Sequence, residues 1–131
     1  MISIFKEQIQ LESEVCKIGP LVANPGKIIL SNMCIYYKPF NNLENERQIL
    51  KIKLKDVKYV IKRRYHLKKI GCEIIFDENI SNLSLNMRKL PYLYLTFDDE
   101  KSRDEFYTRL VIDQKDKLTN LNVFSQVSFY N

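Results

Sequence analysis

A chain of 131 residues with 45% hydrophobic and 28% charged residues has the balance of one globular domain, which excludes a disordered chain. Its formal net charge is +5, and no apolar run approaches the ~20 residues that cross a bilayer as a helix. Eight Tyr and seven Phe beside only three Gly point to a β-rich core.

In chain order, the opening Met1-Ile2-Ser3-Ile4-Phe5 is too short, and too soon followed by charge, for a secretory signal. Ile9 to Ile18 reads as a first strand. Gly19 to Pro25 is a turn-rich link in which Pro20 and Pro25 end regular pairing. Gly26 to Asn32 and Cys34 to Lys38 follow as strands around a Ser31-Asn32 turn, and residues 39–47, PFNNLENER, form a polar loop. The next stretch alternates with a period of two, the mark of a half-buried strand. Leu50, Ile52 and Leu54 point one way and Lys51, Lys53 and Lys55 the other; after Asp56, Val57, Tyr59 and Ile61 share a face. A basic knot at Lys62-Arg63-Arg64 and a loop through Lys68, Lys69 and Gly71 then lead to an apolar run from Cys72 to Phe76. The pattern predicts a three-stranded antiparallel meander, apolar inside and basic outside.

Residues 77–91 interleave Asn79, Asn82 and Asn86 with Ile80, Leu83 and Leu85, which fits either an added strand pair or a loop. Tyr92 to Phe97 is a seventh strand. Asp98-Asp99 supplies an N-cap for a helix from Glu100 to about Leu118, whose apolar face carries Phe106, Tyr107, Leu110, Val111 and Leu118. Residues 119–131 show no period and read as a tail or linker, so that the domain proper is 1–118.

The charge is segregated. Residues 47–69 hold ten Lys or Arg against one acid, Asp56, leaving eleven basic and fifteen acidic residues elsewhere. Such a patch attracts anions. Cys16, Cys34 and Cys72 are odd in number and have no CxxC spacing, which fits a reduced, cytoplasmic chain without a metal centre. The single histidine, His66, has no nucleophile in a recognisable elbow near it, no Gly-rich phosphate loop exists, and the acids are scattered. The residues point to a binding module and not to an enzyme, with no cofactor, metal or small-molecule substrate.

Four segments in order carry a resemblance. KRRYHL at 62–67 with IGCEII at 70–75 is similar to a KRRY-x-L…(T/L)-(A/G)-L-E-(I/V)-F signature. Gly19-Pro20-Leu21 with Pro25-Gly26-Lys27-Ile28-Ile29-Leu30, Cys34 to Pro39, and Tyr94 to Phe97 followed by Arg103-Asp104-Glu105-Phe106-Tyr107 agree with the flanking segments of the same pattern. Over roughly Val15 to Leu110 the chain resembles the pleckstrin-homology-like (PH-like) domain that precedes BEACH domains. The flavour is that of the subfamily of the factor associated with neutral sphingomyelinase activation, chiefly through Pro39-Phe40 and Leu67 to Gly71. The resemblance implies a mainly β, PH/GRAM-like seven-stranded β-sandwich, or partly open barrel, capped by one C-terminal helix. It also implies packing on the BEACH domain of the same chain, in a scaffold of membrane traffic or sphingolipid signalling peripheral to internal membranes.

Two sets of residues compete for that work. Lys62, Arg63, Arg64, Tyr65 and Leu67 are the candidate protein interface, because arginine grips carboxylates with a two-pronged fork and tyrosine adds apolar area with a polar tip. Lys51, Lys53, Lys55, Lys58, Lys68 and Lys69 are the alternative, an anionic-lipid contact. Solvated lysines that simply discourage strand pairing are the plain reading of the same face. Lys17 and Lys27 alone do not make the paired basic pattern of phosphoinositide-specific PH domains. Nucleic acid is disfavoured because Tyr36, Tyr37 and Tyr59 fall where the pattern calls for packing.

Overall fold

The computed structural model describes residues 7–40, 49–77, 91–119 and 121. Residues 41–47 of the predicted polar loop at 39–47, residues 78–90 of the Asn-rich stretch and the tail from 122 lie outside the described residues. Seven strands are present: β1 (Ile9–Ile18), β2 (Ala23–Ser31), β3 (Cys34–Pro39), β4 (Leu50–Lys53), β5 (Val57–Tyr65), β6 (Lys68–Phe76) and β7 (Tyr92–Phe97). All pairings are antiparallel, in the order β4-β3-β2-β1-β7-β6-β5. The two edge strands contribute Ile52, Val57 and Val60 to the same buried cluster as the central strands, so the open sheet encloses one core. Burying one such side chain stabilises the fold by about 1.5–3 kcal/mol.

The predicted three-strand meander does not form. β4 pairs with β3 and β5 pairs with β6, so the two lysine-rich strands terminate opposite ends of the strand order. One turn of 3-10 helix, Leu54–Asp56, separates them and buries Leu54. Alternation alone identifies a strand; it does not identify the strand's neighbour. The predicted loop at 68–71 is also corrected, because β6 begins at Lys68 and its register partner is Tyr65. The turn is therefore only His66-Leu67.

Within β5 the register shifts between Val57 and Tyr59. That bulge brings Val57 and Val60, three residues apart, to the core and leaves Tyr59 and Ile61 half-buried on the other side. The expected shared face of Val57, Tyr59 and Ile61 is lost for that reason. At β2, Gly26 is required by close approach. A Cβ there would sit 2.6 Å from the Lys38 carbonyl oxygen and 2.7 Å from the Tyr37 ring. That ring crosses the glycine so that its hydroxyl can donate to the Asn24 carbonyl at 2.6 Å.

Helix α1 (Glu100–Tyr107) starts as the sequence predicts. The Asp99 carboxylate accepts from the Ser102 N–H at 2.7 Å, a bond that holds its carboxyl below the usual range. The predicted helix to Leu118 is not uniform. It widens into a π-helical stretch, Thr108–Asp113, and ends in a 3-10 turn, Lys115–Lys117. Its apolar positions are nevertheless buried as expected, with the Phe106 ring 5.4 Å from that of Phe97. No described helix is long and apolar enough to cross a membrane.

Candidate functional site

The candidate interface runs along the end of β5 into the two-residue hairpin. His66 (φ 52°) and Leu67 (φ 68°) both lie in the left-handed region. Two such residues make the mirror-image turn whose twist matches a hairpin, a position where Asn-Gly is preferred. A leucine there costs on the order of 1 kcal/mol or more. Leu67 is nevertheless 88% exposed, so nothing in the core compensates it. Tyr65 is held by its neighbours, with ring centroids 4.2 Å from His66 in a stack and 6.2 Å from Tyr94 edge-on.

The basic knot is largely spent inside the molecule. Arg63 sends two N–H groups to one oxygen of Glu73, at 2.9 and 3.0 Å. Lys62 lies 3.4 Å from the Asp104 carboxylate and 4.7 Å from the centre of the Tyr107 ring. These contacts follow from the register: Ile61 pairs with Glu73, which places that acid beside Arg63, while Lys62 pairs with Cys72 on the side facing α1. Of the five candidate interface residues, only Arg64 and Leu67 are both exposed and without a side-chain partner among the described residues.

Sequence reasoning missed the residue that fastens this region. Arg103 is 4% exposed. One of its terminal nitrogens donates to the Arg63 and Gly71 carbonyls at 3.1 and 2.9 Å, and its Nε donates to Asp104 at 2.7 Å. Helix α1 is thereby clamped across the β5–β6 pair. The Arg103-Asp104 dipeptide was visible as part of the resemblance, but a helix arginine reads as solvent-facing until the strands beneath it are in place. Beneath the clamp, burial pushes the Cys72 thiol up to about 12, opposed by Arg103 and Lys62.

The alternative set divides in two. Lys51, Lys53 and Lys55 are exposed on the outer side of β4 and its following turn, and Lys58 is half-buried just beyond. Lys68 and Lys69 are exposed at the hairpin tip, about 20 Å further along β5 at the usual rise per residue. One flat surface does not gather all six. On the β4 side, Lys51 lies 6.0 Å from the centre of the Tyr36 ring.

No family model matches the sequence. Among solved structures, the chain is similar to the hSac2 domain of the human phosphoinositide phosphatase Sac2, at 10% identity over 96% of this chain and 79% of that one, with a TM-score of 0.65. The Slm1-PH domain in complex with inositol-4-phosphate matches at 9% identity over 80% and 96% of the two chains, with a TM-score of 0.58. The fold is PH-like. The DH/PH domains of PDZ-RhoGEF in complex with GTP-gamma-S-activated RhoA match at 10% identity and a TM-score of 0.63, over 88% of this chain and 32% of that one. At these identities the PH-like likeness concerns the backbone, and the working surface has to be read from this chain's own side chains.

Proposed function

We propose that the chain is a non-catalytic PH-like docking module whose contact surface is the β5–β6 hairpin, presented to an acidic and partly apolar protein face. The observation that carries this reading is Leu67, 88% exposed in a left-handed turn next to the exposed Arg64, Lys68 and Lys69. An apolar tooth beside cations suits a partner with a shallow apolar pocket rimmed by carboxylates. The Arg103 clamp and the Arg63–Glu73 pair support it by fixing the hairpin before a partner arrives, which lowers the ordering cost of association. The resemblance names that partner as a BEACH domain of the same chain.

The test is titration of the domain with a BEACH domain supplied in trans, using wild type and the double variant Arg64→Glu, Leu67→Asp. Both positions are exposed, so the thermal midpoint should hold. Affinity should fall at least tenfold. Undiminished affinity, or no association of the wild type, rules the reading out.

A second reading rests on the β4 side. Lys51 and Lys53 leave one outer face of β4 and Lys55 is exposed on the turn that follows, an arrangement suited to loose attraction to anionic lipid at roughly 1 kcal/mol per basic residue.

A further inference from the structure

On that β4 face, beside the β2–β3 turn, four polar groups converge. Ser31 ends β2, Tyr36 is on β3 and Lys51 is its register partner on β4. All three belong to the outer set, since their strand neighbours Leu30, Ile35 and Ile52 are buried in the core. The fourth group is the carboxylate of Glu7, two residues before β1. The Tyr36 hydroxyl donates to it at 2.7 Å, and the Ser31 hydroxyl donates to the same oxygen. Lys51 is near enough to pull the Glu7 carboxyl further below its ordinary value, after those two hydrogen bonds. Lys53, the register partner of Cys34, stands exposed beside the group.

The receiving side is built without Glu7. The Ser31 side chain, in a fully buried residue, is fixed by accepting from the Met33 and Cys34 N–H groups at 3.1 and 2.9 Å, and its one proton is shared between the anion position and the Cys34 carbonyl oxygen at 3.2 Å. Burial, and then the bond to Glu7, push the Tyr36 hydroxyl well above its usual value, so it remains a donor at any physiological pH. Glu7, by contrast, is exposed and comes from a segment tied to the β2–β3 turn by the Gln8–Asn32 bonds of 2.8 and 2.9 Å. One carboxylate also leaves positive charge over, because Lys51 and Lys53 have no ion pair among the described residues while Lys27 is already paired with Glu12 at 3.1 Å. Two hydroxyl donors and two flanking ammonium groups match a phosphate monoester, with more oxygens and about twice the charge, better than they match a carboxylate.

We infer that Ser31, Tyr36, Lys51 and Lys53 form an anion subsite for a phosphate-bearing ligand, and that Glu7 occupies it as an internal stand-in. The site is separate from the hairpin, so its failure and that of the docking reading are distinguishable.

The experiment follows amide shifts of Met33, Cys34 and Lys51 in the whole chain during titration with inorganic phosphate and with inositol 4-phosphate. It adds sedimentation with vesicles of phosphatidylcholine alone, with phosphatidylserine, or with phosphatidylinositol 4-phosphate. Wild type is compared with Glu7→Ala, Glu7→Gln and Glu7→Ala combined with Tyr36→Phe and Lys51→Met. Removing the Glu7 charge should tighten binding about fivefold to tenfold, and the combined variant should lose that gain. A gain confined to the two soluble phosphates assigns the site to a soluble ligand. A gain on phosphatidylinositol 4-phosphate vesicles beyond that on phosphatidylserine assigns it to a lipid headgroup. No gain on any probe, a gain equal on both anionic vesicles and absent in solution, or a gain that survives loss of Tyr36 and Lys51 overturns the inference. Glu7→Gln keeps the assay decisive where alanine disturbs the β2–β3 turn.

Discussion

Strand β4 and the β5–β6 hairpin stand at opposite ends of the strand order, and both are rich in lysine and arginine. Around the hairpin, Lys62 and Arg63 find acids on neighbouring elements, Asp104 on α1 and Glu73 on β6, and a buried arginine ties the two strands to the helix. On β4, Lys51 and Lys53 form no ion pair among the described residues, with Glu7 only near enough to Lys51 to feel its charge, and both remain on the surface. The same residue types thus stiffen one region and stay exposed in the other, which is why the proposed anion contact is placed there. A local count of charge measures supply, whereas availability depends on which acids the topology brings within reach.

The sharpest break of this contrast is Arg103→Met. It removes the donor to two carbonyls and one carboxylate while keeping most of the apolar stem. Leaving those acceptors without their partner costs about 3 kcal/mol, a fall of roughly 10 °C in the thermal midpoint for a domain of this size. The β5–β6 amides should lose hydrogen-exchange protection before those of β2 and β3. A loss below about 1 kcal/mol would show that the helix holds to the sheet by apolar packing alone.

How much of this could be read beforehand depended on the range of the signal. Strands β1, β3 and β7 and the Asp99 cap were legible because each is written in local periodicity or in a single capping residue. The β4–β5–β6 meander was misread, since period two places Leu50 and Ile52 on a face but says nothing of Tyr37 and Ile35, their register partners on β3. Lys62 and Arg63 were identified as prominent while their intramolecular acids were not, because Asp104 lies 42 positions from Lys62. Leu67 was singled out from the resemblance, but its left-handed backbone was not foreseeable, since leucine is a poor guide to such a turn. Glu7 gave no sequence signal at all, being one acid in a polar leader; only the fold places it against Tyr36.

Alkaline titration sharpens the contrast from beneath the clamp. Cys72 is the register partner of Lys62, and its thiol is raised from about 9 to about 12 by burial. The sign follows from linkage: the unfolded thiol ionises first, so the neutral thiol's contribution is complete below about pH 9 and is lost as pH climbs toward about 12. By about pH 10.5 the loss reaches about 2 kcal/mol. Tyrosines and lysines titrate in the same window, so the measurement is the difference between wild type and Cys72→Ala in thermal midpoint against pH. The two curves should converge as pH rises. Parallel curves would mean that water reaches Cys72 and that the region under Arg103 is not dry.

The smallest effect on stability, and the cleanest separation of the two regions, comes from charge removal on β4. In the triple variant Lys51→Gln, Lys53→Gln, Lys55→Gln, the altered side chains are exposed, and exposed charges contribute within about 0.5 kcal/mol of nothing. Strand pairing with β3 uses the backbone and is unaffected. The thermal midpoint should therefore stay within about 2 °C of wild type. Sedimentation with phosphatidylserine vesicles at low salt should fall by more than tenfold if these lysines carry the attraction. Glu73→Gln is the converse, since it releases Arg63 at the hairpin, costs under about 1 kcal/mol, and leaves vesicle binding as it was. If Glu73→Gln instead raises vesicle binding and the triple variant does not lower it, the hairpin is the anion-facing region, and the division of labour between the two ends of the sheet is the reverse of the one drawn from their ion pairs.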